Sequence, residues 1–109
     1  MESNRKPTIK ELRLLELLIK KSSLIMSDNW KDNLLVRPMD DGEMGSLYLF
    51  PKGVMIEDRT IGEQVSDFQF TDSDGIEVIA SLNLDENGDL FELDLWKTDF
   101  SKLLNFPNL

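Results

Sequence analysis

The stretch VSDFQFTDSDGIEVIASLNLDENGDLFELDLWK, residues 65–97, alternates apolar and polar side chains in three runs separated by two turns rich in Asp and Gly. Successive side chains of a strand point to opposite faces, so this pattern predicts three consecutive antiparallel strands, a β-meander. Asn87-Gly88 is the strongest hairpin signal, because a type I′ turn needs positive φ at both central residues. A two-residue loop there sets Glu86 opposite Asp89. It then pairs Leu84 with Phe91, Leu82 with Leu93 and Ala80 with Leu95 on an apolar face. Asn83–Glu92, Ser81–Asp94 and Ile79–Trp96 fall on the other. A slip of one residue would exchange the two faces, so the pattern determines the register.

The preceding turn, Asp72-Ser73-Asp74-Gly75, has two readings. A two-residue Asp74-Gly75 loop would set Phe70 opposite Ile79 on the polar face. A three-residue Ser73-Asp74-Gly75 loop, with Gly75 left-handed in a bulge, sets Phe70 opposite Val78 and Phe68 opposite Ala80. The second keeps both phenylalanines in the core and is preferred.

Upstream of the meander, Thr8-Ile9-Lys10-Glu11 forms a capping box behind Pro7, predicting a helix from there to about Lys21. Leu12, Leu14, Leu15, Leu18 and Ile19 span its apolar arc, with Glu16 and Lys20 at i, i+4 on the other side and Leu17 in the exposed sector. Residues 22–33 are ambiguous, with room for helical turns near Leu24–Met26 and Asn29–Trp30. Leu34–Arg37 reads as a short strand that Pro38 confines to a sheet edge. Ser46–Phe50 is the next strand, and Pro51-Lys52-Gly53 should turn it into a partner at 54–58, pairing Phe50 with Val54 and Tyr48 with Ile56. After Asp99, the tail FSKLLNFPNL reads as a short helical turn ended by Pro107, with Phe100, Leu103, Leu104 and Phe106 packing. The whole, residues 1–109, is expected to be one α+β domain: an N-terminal helix packed on one face of a five- or six-stranded antiparallel sheet.

Composition narrows the chemistry. The 109 residues include no Cys and no His, which removes disulfides, thiol nucleophiles, Cys-zinc sites and the usual neutral-pH general base. Neither GxGxxG nor GxxxxGKS/T occurs. The charged start and the broken apolar stretch from Leu12 to Ile19 fit neither a signal peptide nor a membrane span, so a cytoplasmic location is expected. The net charge of −9 conceals a split. Residues 1–37 hold eight Lys/Arg and five Asp/Glu, or +3, whereas residues 38–109 hold four and sixteen, or −12. An acidic body disfavours nucleic acid and anionic membrane and suits a basic protein partner. The basic first third also complements the acidic sheet of a second copy, so a homo-oligomer stays open.

The carboxylates cluster in turns: Asp40/Asp41/Glu43, Asp72/Asp74 and Asp85/Glu86/Asp89. Gly75 and Gly88 come too early for an EF-hand loop, and these loops join strands rather than helices. Turns need Asp, Asn and Gly for conformational reasons alone. Turn-borne carboxylates lie in water, away from the cleft that acid/base catalysis requires. No catalytic residue, cofactor or metal ligand is therefore assigned. The candidate partner-binding residues are Asp40, Asp41 and Glu43 in the loop, and Ile79, Glu92, Asp94 and Trp96 on the sheet face away from the core. Tryptophan ringed by acids suits a binding hot spot; the other reading, slightly preferred, is that the C-terminal tail or the 22–33 segment folds over Trp96 and covers it.

Residues 38–47, PMDDGEMGSL, and 91–100, FELDLWKTDF, resemble a family of small uncharacterised bacterial proteins with a DDGxMGSL loop and a late ELDxWKxDF strand. The resemblance spans most of the chain and implies no activity, ligand or catalytic residue. It directs attention to the 40–46 loop, where Gly42 and Gly45 allow sharp turning and Asp41 can cap locally, and to Lys97 and Asp99, read as an ion pair closing the last strand. In size, charge and plan the chain is similar to acidic immunity proteins that neutralise bacterial toxins, an analogy without a motif. The expected function is thus non-enzymatic: an immunity- or antitoxin-like interaction protein. The alternative is a small-molecule- or divalent-metal-binding domain using the Asp-rich loops.

Overall fold

The computed structural model describes residues 4–54 and 58–109. One helix, α1 (Ile9–Lys21), precedes five strands: β1 (Leu35–Pro38), β2 (Leu47–Phe50), β3 (Ile61–Thr71), β4 (Glu77–Asp85) and β5 (Leu90–Lys97). They form one antiparallel sheet in the order β1-β2-β5-β4-β3, an open α+β plan.

The helix begins as its capping box dictates. The Glu11 amide donates to Thr8 Oγ1 at 3.1 Å, and the Thr8 amide donates to Glu11 Oε1 at 2.8 Å. Glu11 also receives both guanidinium nitrogens of Arg5, at 2.8 and 2.9 Å. Arg5 in turn exchanges two backbone bonds with Val36, so this carboxylate ties the leading segment, the helix and edge strand β1 together. Burial raises the Glu11 pKa, but Arg5 and the Thr8 N–H outweigh it and hold the carboxyl below its usual value. Leu14, Leu15 and Leu18 are fully buried, each contributing roughly 1.5–3 kcal/mol by leaving water. Leu17 is half-buried against the same core rather than exposed, and Glu16 pairs with Lys31 at 2.9 Å.

The meander has the expected register through its centre: Ile79↔Trp96, Ala80↔Leu95, Ser81↔Asp94, Leu82↔Leu93 and Asn83↔Glu92. Its final pair differs, since Leu84 faces Leu90 and not Phe91. The cause is the turn. The Gly88 amide donates to the Asp85 carbonyl (3.0 Å) and the Asp85 amide to the Asp89 carbonyl (2.9 Å), closing a three-residue Glu86-Asn87-Gly88 loop. Only Gly88 is left-handed there (φ 83). The Asp85 carboxylate accepts from the Asn87 and Asp89 amides at 2.8 and 3.0 Å, which favours this turn over the two-residue type I′ form. The extra loop residue shifts the pairing by one, and a register break next to Phe91 shifts it back. The β3–β4 turn is the three-residue form expected, with Gly75 at φ 83 and the pairs Phe70↔Val78 and Phe68↔Ala80.

Two other expectations are corrected. The chain leaves β2 through a 3-10 turn, Pro51–Gly53, into non-strand Val54; residues 55–57 of the expected partner strand lie outside the described residues. Phe50 faces Leu35, and Tyr48 is flanked by Arg37 and Glu92. The tail forms no helical turn. It runs as an irregular strap in which Leu103 and Phe106 pack on the core while Phe100 stays 70% exposed.

Candidate functional site

Strand alternation puts the helix against one sheet face and leaves the other without a helix. On that outer face the ladder aligns Gln69, Ile79 and Trp96 in one row, Asp67, Ser81 and Asp94 in the next, and Asn83 with Glu92 beyond. Trp96 is 44% exposed beside half-buried Ile79, and the Phe100 ring lies 6.2 Å from its own. Asp67, Glu77 and Asp94 are exposed on the same face. Asn83 donates to Glu92 at 3.3 Å, and Gln69 donates to Glu77. An apolar patch with an aromatic centre thus sits among carboxylates.

The far end of this face is closed by a cluster the sequence reading did not identify. Arg59 stacks on Phe50 (5.2 Å) and Phe91 (4.8 Å), and Arg37 on Tyr48 (5.6 Å) and Phe50 (5.1 Å). The register break beside Phe91 ends the β2–β5 ladder at Tyr48↔Glu92. The Arg59 guanidinium fills the gap by donating to the Leu49 and Leu90 carbonyls at 2.5 and 3.0 Å. It also meets Asp85 at 3.4 Å, with both side chains buried. Phe91 therefore serves the outer face, whereas simple alternation from a two-residue turn had placed it in the core.

The 40–46 loop abuts this face at its β5 border. Ser46 Oγ accepts from the Leu95 amide (2.8 Å) and lies within hydrogen-bond reach of Asp94 (3.3 Å), so the two quoted motifs are neighbours in space. The Asp41 carboxylate accepts from the Met44 and Ser46 amides, both at 3.1 Å; it builds the loop. Asp40 and Glu43 are exposed, and the Glu43 carbonyl accepts from Leu103. At Gly45 (φ 99) a Cβ would meet Leu95 at 2.9 Å and Leu103 at 3.1 Å. The loop is a socket for the tail. Of the seven candidates, four share the sheet face, Asp40 and Glu43 line a hollow with Arg5 and Glu11 at the start of the helix, and Asp41 is committed to local structure.

Lys97 does not pair mainly with Asp99. It is fully buried and donates to Asp72 (2.8 Å), Asp74 (2.7 Å) and the Lys102 carbonyl (3.0 Å). Asp72 also accepts from the Ser73, Leu104 and Asn105 amides. Burial raises the Asp72 pKa, but the Leu104 N–H, the Lys97 ammonium and the Ser73 and Asn105 N–H groups prevail and hold it far below the carboxylate range. Burial lowers the Lys97 pKa, but Asp72 and Asp74 reverse this and raise it. Asp99 bonds Ser101, whose hydroxyl and amide lower its pKa. The signal for Lys97 was present: it continues the inward series Leu93, Leu95.

Among the described residues no three Asp or Glu side chains form a group able to hold a metal ion, and Asp41, Asp72 and Asp85 accept backbone N–H instead. No described helix is long and apolar enough to cross a membrane. The family DUF6984, described as a domain of unknown function, matches residues 4–107. No curated protein and no solved structure matches the chain.

Proposed function

We propose that this chain, which belongs to the DUF6984 family, is a non-enzymatic interaction protein that takes a basic protein partner on the outer face of its sheet. The observation that carries this reading is Trp96, 44% exposed beside Ile79 on a face bearing Asp67, Glu77, Glu92 and Asp94. Tryptophan supplies a large contact area and attracts cations over its ring, and flanking carboxylates steer and orient a basic partner. Asp40 and Glu43, exposed on the preceding loop, add to the acidic charge that attracts such a partner. An immunity- or antitoxin-like role, the neutralising of a basic toxin in the cytoplasm of a bacterium, is the biological form that suits such a surface.

The test is capture of basic proteins from a lysate of the source cells on immobilised chain, at low and high salt, followed by rebinding of the purified partner. Binding should weaken with salt, fall sharply for Trp96→Ala and fall further for Asp94→Lys. Absence of any salt-sensitive partner, or a partner indifferent to both substitutions, would refute the reading.

A further inference from the structure

Two clefts on the core side of the molecule share Asn33 and Lys52 in their walls. The first, 450 Å³, is lined by Lys6, Lys31 and Lys52 with Pro7, Leu12 and Leu35, and by no carboxylate among the described residues. That is unexpected in a chain with 21 Asp/Glu against 12 Lys/Arg. The second, 560 Å³, mixes Leu24, Trp30 and Leu84 with the polar Ser27 and Asn29, and has Asp32 and Asp89 as acids among the described residues. Both volumes lie within the size range of small-molecule sites. The two residues shared by both walls, Asn33 (φ 62) and Lys52 (φ 59), hold left-handed backbone conformations, which asparagine tolerates and lysine does not favour. A strained lysine thus stands in the wall shared by a cleft holding Trp30 and a cleft holding three lysines, and strain of this kind concentrates at ligand sites.

We propose that the joined clefts bind a phosphate monoester with an aromatic body. The body lies against Trp30 in the second cleft, where Asp32 and Asp89 would repel an anionic head, so the head turns to the lysine-lined first cleft. Lys31 is already held by Glu16 at 2.9 Å, which leaves the head to Lys6 and Lys52. Two lysines match a phosphate ester, which carries roughly −1.5 to −2 charge at neutral pH, better than a singly charged carboxylate. Lysine suits phosphate as a point charge, without the planar fork of arginine.

The probes are 2-naphthyl phosphate, 2-naphthoate, 2-naphthol and inorganic phosphate, titrated into ¹⁵N-labelled protein while the Trp30 indole and the Asn33, Leu34 and Gly53 amide signals are followed. Naphthyl phosphate should shift these signals saturably and bind tightest, with the Trp96 indole unmoved. The double variant Lys6→Gln/Lys52→Gln should bind roughly tenfold more weakly or worse, with an unchanged melting temperature. Naphthoate binding as tightly as the ester would overturn the dianion assignment. No saturable shift at Trp30, or full affinity in the double variant, would overturn the site itself. Trp96 and Trp30 lie on opposite sides of the sheet, so this proposal and the partner-binding one fail separately.

Discussion

The β3–β4 and β4–β5 turns share one frame: an aspartate whose carbonyl receives the amide of a left-handed glycine three residues on. Asp72 and Asp85 are both 4% exposed, and each meets a buried cation. They differ in where the carboxylate spends its remaining capacity. Asp85 caps its own loop through Asn87 and Asp89. Asp72 reaches across more than thirty residues to the Leu104 and Asn105 amides. One turn is completed locally. The other is completed by the tail, and with it one end of the sheet. Equivalent turn sequences can therefore hold very unequal amounts of tertiary structure, depending on what lands on the first carboxylate.

If that contrast is right, Asp72→Ala is the most damaging change. It leaves Lys97 buried without its main partner and frees two tail amides, a class of lesion that costs about 3–5 kcal/mol; urea denaturation measures it, and faster proteolysis within residues 99–106 should accompany it. The same carboxylate sets the acid limit. Its folded pKa lies below the ordinary 3.8, so its stabilising contribution is present above pH 3.8 and is lost as pH falls through the depressed value. Glu11 acts in the same sense below 4.5. Lys97, raised above 10.5, contributes fully below that pH and loses its contribution only as pH rises through its higher value. Stability should be flat across neutrality, and Asp72→Asn should blunt the acid limb in a pH-resolved melting series.

Gly45→Ala comes next. Its Cβ would press on Leu95 and on the tail's Leu103 in a left-handed backbone, at about 1–3 kcal/mol. Asp85→Ala should cost less, about 1–2 kcal/mol for two local hydrogen bonds and a weak ion pair, because Arg59 keeps its two carbonyl partners. Equal losses at Asp72 and Asp85 in the same denaturation assay would erase the distinction between the turns. Smallest is Lys52→Gly, which relieves left-handed strain and should leave stability unchanged or raise it by up to about 1 kcal/mol; a clear loss would show that Lys52 supports the fold.

The helix, the strand faces and the central register were legible because they rest on local patterns. Thr8 and Glu11 announce the cap, and Leu82, Leu93 and Leu95 sort themselves by alternation. The β4–β5 turn misled for the same reason. Asn87-Gly88 fits a type I′ turn, but the Asp85 side chain selects another geometry, and the register recovers at Phe91 because the buried face of β4 tolerates no slip. Among the site residues, Ile79 and Trp96 were placed correctly across from each other. That Asp41 points inward, and that Lys97 belongs with Asp72 rather than Asp99, depends on a tail folding back over the sheet. Periodicity carries no information about such a return. Arg59 was equally hidden, since its role exists only where two ladders separate.

The register breaks in β3 bear on how copies of the molecule meet. This strand has a sheet neighbour on one side only, and a long regular edge would template pairing with another chain. Its first half is interrupted twice, between Ile61 and Gln64 and between Gln64 and Ser66, and Glu63 and Asp67 stand exposed along it. A second copy approaching edge to edge would meet a kinked backbone and like charge. The irregularity acts as a gatekeeper against aggregation, and it leaves the flat face around Trp96 as the more accommodating surface for a foreign chain.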